Sequence, residues 1–205
     1  MEHAPSLRDR KRHRAVQAIR KAALELFIER GFDEVSVTDI AQRAEMGRTT
    51  FFRYFGDKQE VLFTQTDQEV AEAVGGVGRP PRAIGSSLLD ALGSVRALVI
   101  AYVEHITADP GAYEMHQRLV NRHAELYARS LVKQRRHVGM LTARLLDWDA
   151  EPATARQAAE LGLACFLAGQ AEAEDDPRRL RQCVDRAFDR LGFTLQPSPM
   201  SSPDG

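Results

Sequence analysis

Residues 36 to 58, SVTDIAQRAEMGRTTFFRYFGDK, restrict the fold of this chain more than any other stretch. Ser36-Val37-Thr38-Asp39 has the form of a capping box. The Ser36 hydroxyl can accept from the Asp39 amide while the Asp39 carboxylate reaches back, Asp being shorter than the usual Glu. A helix through Ala44 follows, with Ile40, Val37 and Ala41 as its buried side. Gly47 then opens a second short helix, Arg48 to Phe55. Asp57 is a suitable N-cap for a third, from Lys58 to about Val74. Upstream, residues 14–30 space Ile19, Ala22, Ala23, Leu26 and Phe27 by three and four, which makes one apolar helix face. Gly31 supplies the left-handed residue on which helices commonly end.

Two short helices with a tight break, braced by a longer one, predict a helix-turn-helix. Such a unit lays its second helix in the major groove of DNA while the first braces it against the backbone. The start of the second helix reads bases. Here that start is Arg48-Thr49-Thr50. Arg48 can donate two hydrogen bonds to a guanine edge, and each threonine offers a methyl for thymine and a hydroxyl for phosphate or base. Phe52, one turn on from Arg48, suits a thymine methyl, whereas Phe51 and Phe55, four apart, face inward as core. Tyr54 can give its hydroxyl to a phosphate. Lys58 and Thr38, each in the first turn of its helix, are read as phosphate contacts. Arg8, Arg10, Lys11, Arg12 and Arg14, broken only by Asp9 and His13, form a basic run ahead of this unit. It is expected to be a flexible arm adding backbone or minor-groove contacts. The net charge of the whole chain is −1, so the basic character is local.

Beyond the third helix, Gly75-Gly76-Val77-Gly78-Arg79-Pro80-Pro81 predicts a loop. Helical periodicity returns near 86–107, 111–119, 122–147, 153–173 and 177–191, and no strand pattern persists, so the fold class is all-α. The last ten residues, QPSPMSSPDG, have the composition of a disordered tail. The two cysteines, Cys165 and Cys183, make neither a CxxC nor a metal spacing with histidine, and read as buried thiols. No apolar run approaches the roughly 20 residues of a membrane span, and the first residues lack the apolar core of a signal peptide. A cytoplasmic protein without membrane partners, metals or other cofactors is expected.

The order LFIERGFDEVSV then TDIAQRAEMGRTTFFRYFGDKQEVL, with Gly31, Ile40-Ala41 and Tyr54-Phe55…Lys58 at their intervals, resembles the DNA-binding domain of the TetR family of transcriptional regulators. About 45 residues carry the resemblance, from Arg14 to Lys58. Two positions depart from it. The family usually has Ser at Gly47 and often Tyr at Phe52, so a side-chain cap and a hydroxyl contact are absent here. From about residue 59 onward the likeness is only that both are helical. The resemblance implies a basic arm at 1–13, a DNA-binding domain at 14–58, a ligand-binding and dimerisation domain at 59–195 and a tail at 196–205. It further implies a small-molecule effector held among the middle helices and a homodimer formed through the last two long ones.

Read on its own residues, the segment 153–173 gathers Ala155, Ala158, Ala159, Gly162, Ala164, Cys165, Ala168 and Gly169, small enough for close approach of another helix, within the chain or from a second copy. A two-fold dimer is favoured, since one short recognition helix reads few bases and a dimer reads two half-sites about 34–36 Å apart. For the effector pocket the middle helices offer Tyr102, His105, Tyr113, His116 and Phe166, apolar walls with a few polar handles. Met115, Tyr127 and Trp148 belong to the same set. The expectation is a homodimeric repressor on a palindromic operator, released by an unknown small molecule. A helical enzyme acting on the occupant of the pocket is the alternative from another class. It finds no GxSxG, HExxH or glycine-rich phosphate loop in the chain. A regulatory scaffold that has lost DNA binding is the remaining alternative, and Arg48 and Lys58 argue against it.

Overall fold

A computed structural model describes residues 7–195, and among them every regular element is a helix. The chain divides into two compact units, Met1–Thr66 and Asp67–Gly205. The first holds α1 (Leu7–Arg30), α2 (Val37–Arg43), α3 (Arg48–Tyr54) and the start of α4 (Glu60–Gly76). The second holds α5 (Leu88–Ile106), α6 (Pro110–Arg122), α7 (Ala124–Asp147), α8 (Pro152–Ala173) and α9 (Pro177–Leu195).

In the first unit, Ile19, Ala22, Ala23, Leu26 and Phe27 of α1 are all buried, as their spacing requires. Helix α1 ends where expected. Gly31 takes φ 85° and its amide donates to the Phe27 carbonyl at 3.1 Å. Three expectations need correction. The basic segment is no flexible arm over residues 7–13, because α1 already starts at Leu7; residues 1–6 and the tail 196–205 lie outside the described residues. The expected loop at 75–81 starts later, because α4 continues through Gly76. The boundary between units falls within α4, at Thr66/Asp67, and not at 58/59.

The core of the second unit runs through Val95, Leu98, Val99 and Val103 of α5, Leu141 and Leu145 of α7, and the inner faces of α8 and α9. The small residues of α8 explain its packing. A Cβ added at Gly162 would sit 2.2 Å from Val95 Cγ1 of α5, and one at Gly169 would sit 2.6 Å from the Val184 backbone of α9. Of the two partners left open for the small residues of α8, the chain itself takes most of the stripe, since Ala155, Ala158, Ala159, Gly162, Cys165 and Gly169 are buried within the unit, while Ala164 and Ala168 are exposed. Cys165 and Cys183 are buried free thiols. One further tie closes this unit. Gly85, at φ 56°, pairs with the turn after α7, its amide donating to Asp149 at 2.9 Å and its carbonyl accepting from Glu151 at 2.8 Å.

Candidate nucleic-acid interface

Helix α2 is fastened at both ends. At its start the Ser36 hydroxyl accepts from the Asp39 amide at 3.2 Å and the Ser36 amide donates to the Asp39 carboxylate at 2.9 Å, which closes the expected capping box. Hydrogen bonds from Ser36, with Arg30 nearby, hold the Asp39 carboxyl below its ordinary range. At its end Arg43 forks onto Glu29 of α1 at 2.7 and 3.0 Å and lies 3.5 Å from Glu25. The Arg43 hydrogen bonds likewise lower the Glu29 carboxyl. These pairs are exposed and small in energy; their value is orientation, because they set the rotation of α2 against α1.

The connection to α3 is tight. Glu45 takes the left-handed φ of 54° and the Met46 amide donates back to the Ala41 carbonyl at 2.8 Å. Gly47 caps α3 without a side-chain bond. Phe51 and Phe55 are fully buried, their rings 5.3 Å apart. Anchored on that side, α3 turns Arg48, Thr49 and Phe52 outward; Thr50 is half-buried. Phe52 is 48% exposed, a large ring left in water, and the Arg48 guanidinium lies over it at 5.9 Å. Thr38 is exposed on the first turn of α2. Tyr54 is half-buried beneath the Arg53 guanidinium, 5.0 Å from its ring centre. A cation, two threonine hydroxyls and an apolar ring thus share the surface at the start of α3. Hydrogen-bond donors next to an apolar patch are what base edges and thymine methyls require.

Lys58 does something else. It precedes α4, and its Nζ donates to three carbonyls, those of Phe32 (2.8 Å), Val35 (3.0 Å) and Asp33 (3.2 Å). The ammonium also lies 4.5 Å from the Phe32 ring centre. An ammonium has three donors, and all three are engaged inside the unit. The phosphate contact read from the sequence is thus replaced by a tie that closes the α1–α2 loop. The helix expected from Lys58 starts at Glu60, and the Asp57 carboxylate accepts from the Glu60 amide at 2.7 Å at its entry.

The structure places the five residues read as an effector site in different surroundings. Tyr102 and Phe166 meet, ring centres 5.9 Å apart, with His137 5.8 Å from Tyr102. Tyr113 is buried, its hydroxyl accepting from Gln117 at 3.0 Å and from Gln170 at 3.4 Å. Burial pushes its phenol up to about 12. His105 is exposed and His116 half-buried. One cleft, of about 440 Å³, is lined by polar side chains of α6 (Glu114, Arg118, Asn121, Arg122) and the α8–α9 turn (Glu174, Asp175, Asp176). None of the five lines it. A search for aromatic walls passes over a cleft of this composition. The Asn121 amide donates to Asp175 across it at 2.8 Å, a pairing 54 residues apart that carries no local signal.

The sequence model of the bacterial regulatory proteins of the tetR family matches residues 19–64, which covers α1 from Ile19 through the start of α4. Over 62 residues the chain is 40% identical to the HTH-type transcriptional regulator TcmR of Streptomyces glaucescens, which covers 30% of this chain and 27% of that one. The aligned stretches span between 27% and 59% of the curated relatives' lengths. The fold is similar over nearly the whole chain to a putative TetR-family transcriptional regulator from Syntrophomonas wolfei. That match has a TM-score of 0.62 and 15% identity, and covers 92% of this chain and all of that one. It is also similar to the FadR repressor of Thermus thermophilus, solved in complex with lauroyl-CoA, at TM-score 0.52 and 21% identity, covering 93% and 100% of the two chains.

Proposed function

We propose that this chain, whose residues 19–64 match the model of the bacterial regulatory proteins of the tetR family, is a homodimeric, ligand-responsive repressor of transcription. The single observation that carries the DNA-binding part is the outer surface of α3. Arg48, Thr49 and Phe52 stand in water on a helix whose other side is locked by Phe51 and Phe55. A purely structural three-helix unit has no use for a half-exposed phenylalanine under an arginine. Thr50, Thr38 and Tyr54 complete the interface in this reading, with Thr38 and Tyr54 on phosphates and Arg48 on a guanine edge.

Two copies bind a palindromic operator, one half-site each. The interface is assigned to the last two long helices, and the outer face of α8 supports it. Leu167 is 36% exposed there, with Ala164, Ala168 and Ala171 also in water. Among the described side chains of α9, Leu180, Cys183, Val184 and Phe188 are already buried within the unit. Release by an effector is the third element of the proposal, and the lauroyl-CoA complex of the Thermus repressor supports it by likeness of fold. The occupant must bind more tightly to the conformer that does not fit the operator. The ring contact of Tyr102 with Phe166 supports an apolar site among the middle helices. Among the described residues no single helix is long and apolar enough to cross a membrane.

The test is selection of bound duplexes from a random pool by the purified chain, followed by stoichiometry on the winning sequence. The expected result is an inverted repeat bound at two protomers per duplex. Recovery of no sequence above the starting pool sinks the reading.

A further inference from the structure

The first two turns of α1 carry exposed cations on the stripe of that helix which faces α2, and we infer that they form a rigid phosphate-binding ridge beside the recognition helix. The inference rests on the DNA-binding reading of α3 and adds a second contact surface to it. Its geometry follows from three ion pairs. Asp39, at the start of α2, pairs with Arg30 at 3.5 Å. Arg43, at the end of α2, pairs with Glu29 at 2.7 Å and Glu25 at 3.5 Å. As α2 runs forward it therefore runs back along α1, toward lower residue numbers. The α2–α3 turn and the start of α3 follow directly after Arg43.

Glu29, Glu25, Ala22, Ala18, Arg14 and Lys11 recur at intervals of three and four, so they lie along one stripe of α1. The acidic end of that stripe holds α2. Its other end is basic. At a rise of about 1.5 Å per residue, Arg14 lies roughly 16 Å and Lys11 roughly 21 Å beyond Glu25 along the axis, past the end of α2 and on the side toward which the chain enters α3. Both are exposed. Because this segment is helical from Leu7, its cations are carried on a stiff rod about 10–12 Å across with side chains. A rod of that width does not enter a minor groove about 6 Å wide. The contacts open to Lys11 and Arg14 are phosphates flanking the groove, which carry affinity and register without sequence information.

The test compares the full chain with a K11Q/R14Q variant and with R82Q/R178Q, which removes two exposed cations from the second unit. Binding to a duplex selected by the parent, and to a scrambled duplex of equal composition, is followed across salt concentrations. Each lost phosphate contact lowers the slope of log affinity against log salt by about 0.9. K11Q/R14Q should therefore lower it by about two. Between 50 and 200 mM salt the parent should lose about tenfold more affinity than the variant. The preference for the selected duplex should be unchanged, as should the melting temperature, and R82Q/R178Q should leave the slope at the parent value. An unchanged slope in K11Q/R14Q overturns the inference, as does an equal fall in R82Q/R178Q, which would make the effect one of net charge. Loss of the preference for the selected duplex also overturns it, since the side chains would then be reading bases. A parent that binds neither duplex sinks the DNA-binding reading and this one with it, whereas the other outcomes sink this one alone.

Discussion

Arg48 and Lys58 are ten residues apart, both cationic, and have opposite assignments. Arg48 stands in water at the start of α3, with the Phe52 ring as its described contact. R48A should leave stability within about 0.5 kcal/mol, as surface substitutions usually do. It should relax base preference at one position of each half-site, at a cost of about 1–3 kcal/mol; a titration series over single-base operator variants measures both the loss and its position. Lys58 sits among the carbonyls of Phe32, Asp33 and Val35. K58M keeps the aliphatic stem and removes all three donors, leaving partly buried carbonyls without them. It should destabilise the first unit by about 1–3 kcal/mol, read as a lower denaturant midpoint. Its salt slope of DNA binding should match the parent's, and a slope lower by about one would return Lys58 to the phosphate backbone.

At the scale of elements, α8 approaches α9 backbone to backbone at Gly169. Glycine in a helix interior costs about 1 kcal/mol against alanine, so alanine at Gly162 or Gly169 would be favoured if space allowed. Space decides. At Gly169 a Cβ meets the Val184 amide nitrogen and Cα at 2.6 Å, which are backbone atoms and cannot move without parting the two helices. At Gly162 the nearest atom is a Val95 methyl, the end of a side chain. G169A should therefore lose about 1–3 kcal/mol in spite of its better helix propensity, and G162A less. Chemical denaturation of both variants checks the order; equal losses would mean that α5 is as unyielding here as α9.

For the whole molecule the open quantity is the number of chains that act together. With most of the small residues of α8 occupied inside the unit, the apolar surface left to a second copy on that helix centres on Leu167, beside Ala164, Ala168 and Ala171. Placing a charge at the centre of an apolar interface leaves it desolvated and unpaired. L167E should shift sedimentation from dimer to monomer and weaken binding to an inverted repeat far more than to a single half-site. The fold itself should be retained, because the side chain already reaches water. A variant that sediments as the parent does would move the interface away from this face.

What this sequence determines by itself is local. Helix period, the Ser36–Asp39 box, the Gly31 stop, the Asp57 cap and the inward Phe51 and Phe55 all arise from interactions within a few residues, and each was legible as a pattern of residue types. The outward direction of Arg48, Thr49 and Phe52 follows from the same periodicity once Phe51 and Phe55 are buried. Only the tertiary structure decided the partners of groups that pair across long separations. The Lys58 ammonium meets carbonyls 23 to 26 residues away, Arg43 finds Glu29 on another helix, and the α8 glycines admit α5 and α9 of their own chain. Among the candidates for an effector site, Tyr102 meets Phe166 across 64 residues, another pairing without a local signal. A residue type announces what a side chain can bond, but which of several equally suitable partners it reaches is set by how the helices pack.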